Sequence, residues 1–343
     1  MLEKVRIEDA VGMTLSHDIT EIRKGQMKGP AFKKGHIIRE TDLCHLHRLG
    51  KRHIYVLNIE EGYLHENEAA VAMANAFCGP GVTWLGEPTE GKIKLQAARD
   101  GLLYVNAEAL TQVNMLEEVM CASRHTHSMV EKGDIVAATR AIPLVIQVEI
   151  VNEAVRIGQS NDGLFRVQSL KKAKVGIIIT GNEIFSGLIQ DQFEPVLQRK
   201  ISQTASEVDE VILAPDSAGF IAQEIARLLA KGINLILITG GMSVDPNDET
   251  RQGIMQAGAT EFIYGASVLP GAMFMMAYIG TVPLMGIPAC GIYHEVTLLD
   301  LLLPRVLAGE RITRKDIAVL GHGGLCLDCR QCRYPICPFG KGA

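Results

Sequence analysis

The feature that most constrains the fold is an apolar run that ends in two glycines. Residues 235–238 read Leu-Ile-Leu-Ile without interruption, and Gly240 and Gly241 follow closely. A strand without a polar residue on either side must be covered on both faces, as in the parallel sheets of α/β proteins. The run therefore predicts a central strand, and the glycines predict a turn at which the backbone approaches a ligand closely.

From Lys174 onward, strand-like and helix-like segments alternate. Ser217 is a predicted helix N-cap, and Gly232 is placed to end that helix. The predicted strands are 175–180, 209–215 and several near 261–286, and the predicted helices are 194–205, 217–232, one near 248–257 and a long apolar one at 293–309. This alternation predicts a largely parallel sheet covered on both faces, with its ligand crevice beyond the carboxyl ends of the strands.

The first half of the chain reads as a β-rich α+β region. Short β runs are predicted at 53–59 and 143–152, and helices at 41–49, 66–77 and 106–119. The basic segment 170–176 predicts the start of the α/β domain. We therefore expect one or two small modules in residues 1–170, an α/β domain at 173–310 and a cysteine-rich tail at 321–343.

Composition narrows the class of protein. With 47% hydrophobic and 21% charged residues and a net charge of −5, the chain is typical of a globular protein and not of one whose main partner is nucleic acid. Residues 266–293 are uncharged and long enough to span a bilayer, but several prolines and glycines interrupt them. No signal peptide is evident, so we expect a cytoplasmic protein with no membrane partner.

Three predicted strands end in similar chemistry. Their ends are Thr180-Gly181-Asn182-Glu183, Thr239-Gly240-Gly241 and the segment from Gly286 to Gly291. Glycines there let N–H groups approach an anion, most naturally a phosphate. Nearby acids would repel a phosphate unless Mg²⁺ bridges them. Each motif alone is typical of a capped turn. Three such ends in one sheet favour a binding site.

A family resemblance rests on four segments in order: IIITGNEIF, LILITGGMSVDPNDET, SVLPGAMFMMAYIG and PLMGIPACGIYHEVTLLDLLLPRVLAG. Their order and spacing resemble the molybdopterin-binding domain shared by molybdopterin adenylyltransferases and molybdopterin molybdotransferases. The resemblance covers about residues 173–310. It implies a three-layer α/β/α domain and an oligomer of identical chains, with molybdopterin or its adenylate as ligand.

The resemblance also implies roles for individual residues. Backbone N–H groups of Gly181, Gly240 and Gly241 would hold the pterin phosphate, and Ser243 and Thr250 would orient oxygens. Glu183 and Asp248 would work with Mg²⁺ in adenylyl transfer, or in adenylate hydrolysis with molybdate insertion. The full set of expected cofactor-binding residues is Thr180, Gly181, Asn182, Thr239, Gly240, Gly241, Ser243, Thr250, Pro270, Gly271, Gly286 and Pro288.

The sequence departs from the molybdotransferase pattern at residues expected to line the ligand site. Asn182 stands where an aspartate is typical, and Leu269 and Ala272 stand where lysines are typical. The segment DPNDET is closer to the adenylyltransferase pattern, and GIPACG replaces GLPGNP. The binding frame is therefore retained while the catalytic lining is altered.

The sequence is compatible with three functions. One is Mg-assisted adenylyl or molybdate transfer. The second is a non-catalytic carrier or sensor that delivers the finished cofactor to a molybdoenzyme, which the missing lysines favour. The third is a nucleotide hydrolase, since similar domains are fused to pyridine-nucleotide salvage enzymes.

The first half bears only a fold-level similarity to the β-rich modules attached to molybdotransferases. Its histidines and cysteines, around Cys44 and His47 and around Cys121 and His125, suggest a metal site. Solvated or capping histidines are the interpretation we favour.

The tail carries four cysteines in the spacing C-x2-C-x2-C-x4-C-P: Cys326, Cys329, Cys332 and Cys337. In a reducing compartment such a cluster predicts a metal site and not disulfides. Closely consecutive cysteines favour an iron–sulfur cluster, because structural zinc usually takes two well-separated pairs. Zinc is the alternative. We expect the metal to order the tail, which has few apolar anchors.

Overall fold

The structure is a computed structural model that describes residues 2–23, 27–57, 59–241 and 249–342. The chain divides into two compact units. Unit 1 comprises residues 1–99, 105–124 and 131–167, and unit 2 comprises 100–104, 125–130 and 168–343. Within the described ranges, no helix is both long enough and apolar enough to cross a membrane.

The elements of residues 2–168 are mostly short strands with a few helices between them. The helices are α1 (Leu43–Arg48), α2 (Glu66–Phe77), α3 (Ala107–Asn114) and α4 (Val148–Ser160). The strands are β1 (Leu2–Arg6), β2 (Thr14–Leu15), β3 (Ile19–Arg23), β4 (Met27–Phe32), β5 (His53–Leu57), β6 (Tyr63–His65), β7 (Val82–Trp84), β8 (Lys92–Ala97), β9 (Gly101–Val105), β10 (Val119–Ser123), β11 (Met129–Val130), β12 (Ile135–Ala141), β13 (Val145–Gln147) and β14 (Phe165–Gln168).

Unit 1 contains small antiparallel sheets, as a β-rich region should. Strand orders are β1-β5-β2 and β10-β12-β8-β7, with the two-stranded ladders β3-β4 and β13-β6. The helix predicted at 66–77 is confirmed as α2. The prediction of a β run at 143–152 is confirmed only for β13, and it is wrong from Val148 onward, where α4 begins. Its buried residues Val151, Ala154 and Ile157 recur every three positions and form one helical stripe.

The elements of unit 2 after residue 168 alternate between strand and helix. The strands are β15 (Lys174–Thr180), β16 (Glu207–Ala214), β17 (Leu235–Thr239), β18 (Thr260–Tyr264), β19 (Met275–Ile279) and β20 (Val282–Ile287). The helices are α5 (Asn182–Phe185), α6 (Phe193–Ser202), α7 (Ala218–Ala230), α8 (Thr250–Gln256), α9 (Cys290–Tyr293), α10 (Leu298–Leu307) and α11 (Arg314–Val319).

The six strands form one sheet in the order β16-β15-β17-β20-β19-β18. The first four strands in this order are parallel to their neighbours, and the pairs β20–β19 and β19–β18 are antiparallel. The connection between β19 and β20 is too short for a parallel crossover, so these strands form a hairpin. The prediction of a largely parallel sheet with a buried hairpin near 266–293 is confirmed.

Apolar clusters lie on both faces of this sheet because successive side chains of a strand point to opposite faces. Ile177 and Ile179 of β15 pack in one cluster with residues of α6 and α10. Ile178 packs in the other cluster with Ile221 and Ile225 of α7. Full burial of such a side chain contributes about 1.5–3 kcal/mol.

Two helix starts differ in detail from the prediction. Ser217 is the N-cap of α7, but its side chain makes no capping bond; the N–H of Ala218 donates to Glu249 Oε2 at 2.7 Å. The helix predicted at 293–309 begins only at Leu298, where Thr297 and Asp300 form a capping box.

The cysteine-rich tail is part of unit 2 and is bonded to the rest of it. Leu269 N–H donates to Gly324 O, and Cys326 N–H donates to Leu269 O, both at 2.8 Å. Phe339 is 3% exposed within the cluster that includes α10. The tail therefore has anchoring contacts beyond the few apolar residues that the sequence indicates, and ordering of the tail by a metal stays a prediction.

One surface charge cluster gives a pH-dependent prediction. Arg227 and Lys231 hold the pKa of Glu210 at about 2, below its ordinary 4.5. Because the folded pKa lies below the unfolded one, the carboxylate stabilises the fold above about pH 4.5, and this contribution is lost as pH falls towards 2. Glu210→Gln should flatten the acid limb of unfolding free energy against pH, measured in urea. Glu207→Gln on the same strand is the control; identical curves for both variants would contradict the prediction.

Candidate functional site

The three predicted strand ends lie side by side. β15, β17 and β20 are adjacent and parallel, with Ile179 opposite Thr239 and Thr239 opposite Ile287. The carboxyl ends of adjacent parallel strands meet at one edge of the sheet. The structure therefore brings the segments after Thr180, Thr239 and Ile287 together, as the sequence predicts.

Buried threonines connect these ends. Thr180 Oγ1 donates to Thr239 O at 2.9 Å and lies 3.1 Å from Thr250 Oγ1. Thr250 has no exposed surface. The expectation that Thr250 orients a ligand's oxygens is therefore not supported, because its hydroxyl pairs with that of Thr180.

Gly240 and Gly241 are required by close packing. Both have positive φ, +78° and +55°. A Cβ on Gly240 would lie 2.4 Å from Thr180 O, and a Cβ on Gly241 would lie 2.2 Å from Thr250 Oγ1. Only glycine fits at either position. The glycines thus let the end of β17 pack against the two threonines.

The turn after β15 is held by the neighbouring strand. Gly181 N–H donates to Ala214 O at 3.1 Å, so the expectation that this N–H holds a phosphate is wrong. Asn182 N–H donates to Asp216 Oδ2 at 3.0 Å, and Asp216 N–H donates to Asn182 Oδ1 at 3.1 Å. The amide at position 182 therefore fastens two loops together without adding a second carboxylate beside Asp216.

Of the two expected magnesium ligands, the structure describes Glu183 but not Asp248. Glu183 is exposed, and its Oε1 lies 3.2 Å from the position of a Cβ built on Gly181. Ser243 and Asp248 lie outside the described residues. Within the described ranges, no group of three or more His, Cys, Asp or Glu side chains is arranged to hold a metal ion.

A cavity of about 520 Å³ opens where β20 ends. Pro270, Gly271 and Pro288 line it, as do Ala289 and Met273. Gly286 does not line it, because this glycine lies inside the sheet opposite Ile238 and Met275. The lining residues are all described, and none is a lysine or arginine. Apart from His294 and Asp328 the walls of the cavity are largely apolar, and Leu269 and Ala272 form part of them.

Three residues that line this cavity are not among the site residues predicted from the sequence. His294, Cys290 and Asp328 line it, and His294 Nδ1 lies 3.6 Å from Asp328 Oδ1. Burial raises the pKa of the Cys290 thiol. His294 lies within the long helix that the sequence predicts at 293–309, so the sequence does not indicate it as a site residue. The capping box of Thr297 and Asp300 is the sequence signal that places His294 before the start of α10.

The histidines of the first half pair with acids in the structure. His45 Nε2 lies 3.0 Å from Glu21 Oε2, and His47 Nε2 lies 3.3 Å from Glu8 Oε1. Neither belongs to a metal-holding group among the residues the structure describes.

Thr239 gives a direct test of the strand-end site. Its Oγ1 is buried without a hydrogen-bond partner among the described residues. An unsatisfied buried hydroxyl costs about 1–3 kcal/mol, so Thr239→Val should raise the unfolding free energy by about that amount. Urea unfolding measures it, with Thr204→Val, whose hydroxyl donates to Ile201 O at 2.7 Å, as the control that should not gain stability. A loss of stability in Thr239→Val would show that the hydroxyl has a partner.

Two family models match the chain. Residues 176–308 match a model described as a probable molybdopterin binding domain, and residues 4–58 match a domain of unknown function. A CinA-like protein of Mycolicibacterium vanbaalenii is 28% identical over 96 residues, which are 28% of this chain and 23% of that protein. A protein of Archaeoglobus fulgidus is 35% identical over 81 residues, 24% of this chain and 35% of its own length. The chain thus spans about a third or less of these relatives.

Solved structures give matches at low TM-scores. The molybdopterin biosynthesis enzyme MoaB of Thermus thermophilus is 21% identical, covers 40% of this chain and 98% of its own, and has a TM-score of 0.34. A molybdenum cofactor biosynthesis protein of Pyrococcus furiosus is 17% identical, covers 91% of this chain and 66% of its own, and has a TM-score of 0.27. The match of the family model therefore carries the assignment: residues 176–308 form a domain of the molybdopterin-binding family, related to molybdenum cofactor biosynthesis.

Proposed function

We propose that this chain binds molybdopterin, or its adenylate, at the edge of the sheet where β15, β17 and β20 end. The observation that carries the proposal is that these three ends lie side by side and that a cavity of about 520 Å³ opens at the end of β20. Small-molecule sites typically measure roughly 300–1,000 Å³. The three-layer arrangement expected of the family belongs to this proposal, and the apolar clusters on both faces of the sheet support it.

The ligand would be divided between two parts of this edge. Backbone N–H groups of Gly240 and Gly241 would hold the phosphate, since that of Gly181 is bonded to Ala214. The pterin would occupy the cavity lined by Pro270 and Pro288, whose apolar walls exclude water from its ring.

The finer proposal is Mg-assisted transfer. Carboxylates are ordinary Mg²⁺ ligands, and Glu183 is exposed at the strand end, so the donor chemistry fits. Glu183 and Asp248 would hold the ion, which when bound offsets charge developing on phosphate oxygens. Ser243 would position an oxygen of the ligand. Adenylyl transfer and molybdate insertion are the two reactions this arrangement would serve.

Retention of pterin tests the binding proposal. The protein is purified from a host that makes molybdopterin, and bound pterin is oxidised to its fluorescent derivative and measured. Ala289→Trp should fill the cavity and reduce affinity by at least about tenfold, equivalent to 1.4 kcal/mol. Ala226→Trp, at an exposed position of α7, is the matched control and should retain pterin. Absence of pterin from the wild type, or equal retention in both variants, would reject this site.

A second candidate is a non-catalytic carrier that delivers cofactor to a molybdoenzyme. The specific observation that favours it is the absence of lysine and arginine from the described cavity lining. Transfer of phosphoryl groups usually relies on cations to stabilise the transition state.

Turnover separates the two candidates. Pterin-loaded protein is incubated with Mg-ATP, and adenylate-loaded protein with molybdate. Turnover that Glu183→Gln and Asp248→Asn abolish, with pterin still bound, identifies a transferase. Bound pterin without turnover, passed to an apo-molybdoenzyme, identifies a carrier. Association into a homo-oligomer is part of the proposal and is measured by sedimentation.

A further inference from the structure

The tail forms a loop whose base is closed. Gly340 N–H donates to Gly323 O at 3.0 Å, which joins the two ends of residues 323–340. Phe339 anchors one end in the apolar cluster, and a Cβ on Gly340 would lie 2.6 Å from the Leu301 side chain. Between Cys326 and Cys337 the described backbone contains neither helix nor strand. The loop is thus fixed at its base and free of regular structure where its thiols lie.

All four tail cysteines line one cavity of about 540 Å³. Residues 293–296 form another part of its wall, and Arg330 and Arg333 also line it. Cys329 and Cys332 are exposed, and Cys326 and Cys337 are half-buried. The two arginines would offset the negative charge that four thiolates carry.

Two cysteines of unit 1, Cys78 and Cys121, are poorly suited to bind a metal. Burial raises the pKa of Cys78 to about 11 and that of Cys121 to about 12. Those thiols stay protonated at neutral pH, and a protonated thiol is a poor metal ligand. In the tail, Cys329 and Cys332 are exposed.

We propose that Cys326, Cys329, Cys332 and Cys337 bind an iron–sulfur cluster in this cavity of about 540 Å³. The bound cluster also forms one wall of the cavity of about 520 Å³ at the end of β20, the strand-end cavity. The four cysteines match the ligand number of a [4Fe–4S] cluster. The strand-end cavity and the cavity of the tail cysteines share four lining residues: His294, Leu325, Cys326 and Asp328. A cluster bound to Cys326 therefore lies at the boundary between the two cavities. Within the described ranges the thiols are not yet grouped around one ion, so binding draws them inward from the cavity wall. Binding of the cluster does not depend on the proposed function. Only the position of the cluster beside a bound pterin rests on it.

Reconstitution tests the metal site. Full-length protein is treated anaerobically with equal amounts of ferrous and ferric iron and with sulfide, and separately with Zn²⁺ alone. We expect about four iron and four sulfide per chain, with broad visible absorption. Cys329→Ser and Cys332→Ser should lose the cluster, and Cys44→Ser, which alters an exposed thiol of unit 1, should retain it. Zinc at one equivalent without iron would overturn the cluster, and no metal in either treatment would overturn the site.

Alkylation of the wild type keeps the test independent of folding in the variants. Cluster loading should protect the four tail thiols from iodoacetamide and leave Cys44 reactive, as read by mass spectrometry. Unprotected tail thiols in iron-loaded protein would place the iron elsewhere and overturn the assignment.

Fluorescence tests the shared wall without any pterin. Trp84 is the one tryptophan of the chain, so Trp84→Phe gives a dark background. In that background Met273→Trp places a fluorophore in the strand-end cavity, and Phe262→Trp places one among the residues packed on the opposite sheet face. Cluster assembly should remove most of the emission of the first variant and less of the second. Equal loss in both would overturn the shared wall while leaving metal binding intact.

Discussion

Gly240→Ala is expected to destabilise unit 2 by about 2–5 kcal/mol. The left-handed conformation costs a non-glycine residue about 1–2 kcal/mol, and overpacking at a fixed site costs about 1–3 kcal/mol more. Both apply, because φ is +78° and the new Cβ would lie 2.4 Å from Thr180 O, a backbone atom. Relief requires the end of β17 to move away from β15. The variant should therefore also lose pterin, and urea unfolding measures the stability change.

Gly232→Ala is the matched control for Gly240→Ala. Its φ is +81°, and a Cβ there would meet no atom within 4 Å. This variant should cost only about 1–2 kcal/mol, the conformational part alone. The difference between the two variants isolates the strand-end packing. Equal losses would mean that the strand ends pack less closely than the structure indicates.

Arg305→Met is expected to cost about 3–5 kcal/mol, as removal of one member of a buried ion pair does. The Arg305 side chain is 6% exposed. Its Nε donates to Glu310 Oε2 at 2.8 Å and its Nη2 to Asp316 Oδ1 at 2.7 Å. Methionine keeps most of the volume but leaves both carboxylates without their cation. The connection between α10 and α11 should weaken, as measured by urea unfolding.

Arg311→Met provides the comparison for Arg305→Met. Arg311 is 43% exposed and pairs with Glu261 at 2.7 Å, so its loss should cost at most about 1 kcal/mol. The pH dependence should also differ. Burial alone raises the pKa of Asp316, but bonds from Thr313 and Arg305 lower it overall from 3.8. Without Arg305 this pKa rises, so the deficit of Arg305→Met should shrink as pH falls below 3.8 and passes through the lowered pKa of the wild type. A deficit independent of pH would contradict this account.

Local pattern predicted the regular elements of unit 2 well. The unbroken apolar run at 235–238 became β17 because a strand covered on both faces has no polar position. The β run predicted at 143–152 is a strand only at Val145–Gln147 and is helical from Val148. Its apolar residues suit a strand or a helix, and burial of one stripe, Val151 with Ala154 and Ile157, favoured the helix.

The site was predictable only in outline. Strand-end glycines indicated where the ligand edge lies, because parallel strands bring their carboxyl ends together. Hydrogen-bond partners were not predictable: Gly181 N–H bonds to Ala214, and Thr250 pairs with Thr180, across separations of 33 to 70 residues in the chain. Pairs that distant are determined by strand order and register, which no local motif specifies.

The cysteine spacing of the tail was evident from the sequence alone, since ligand spacing is a property of the chain. Where those cysteines lie was decided by tertiary structure. Backbone bonds to Leu269 and burial of Phe339 hold the tail beside the end of β20, so that Cys326 lines two cavities at once. The sequence by itself determined the composition of the sheet, the glycine turns and the thiol set, because these follow from local periodicity and residue chemistry. Only the folded chain decided which of them face a common space, since that depends on packing between residues far apart in sequence.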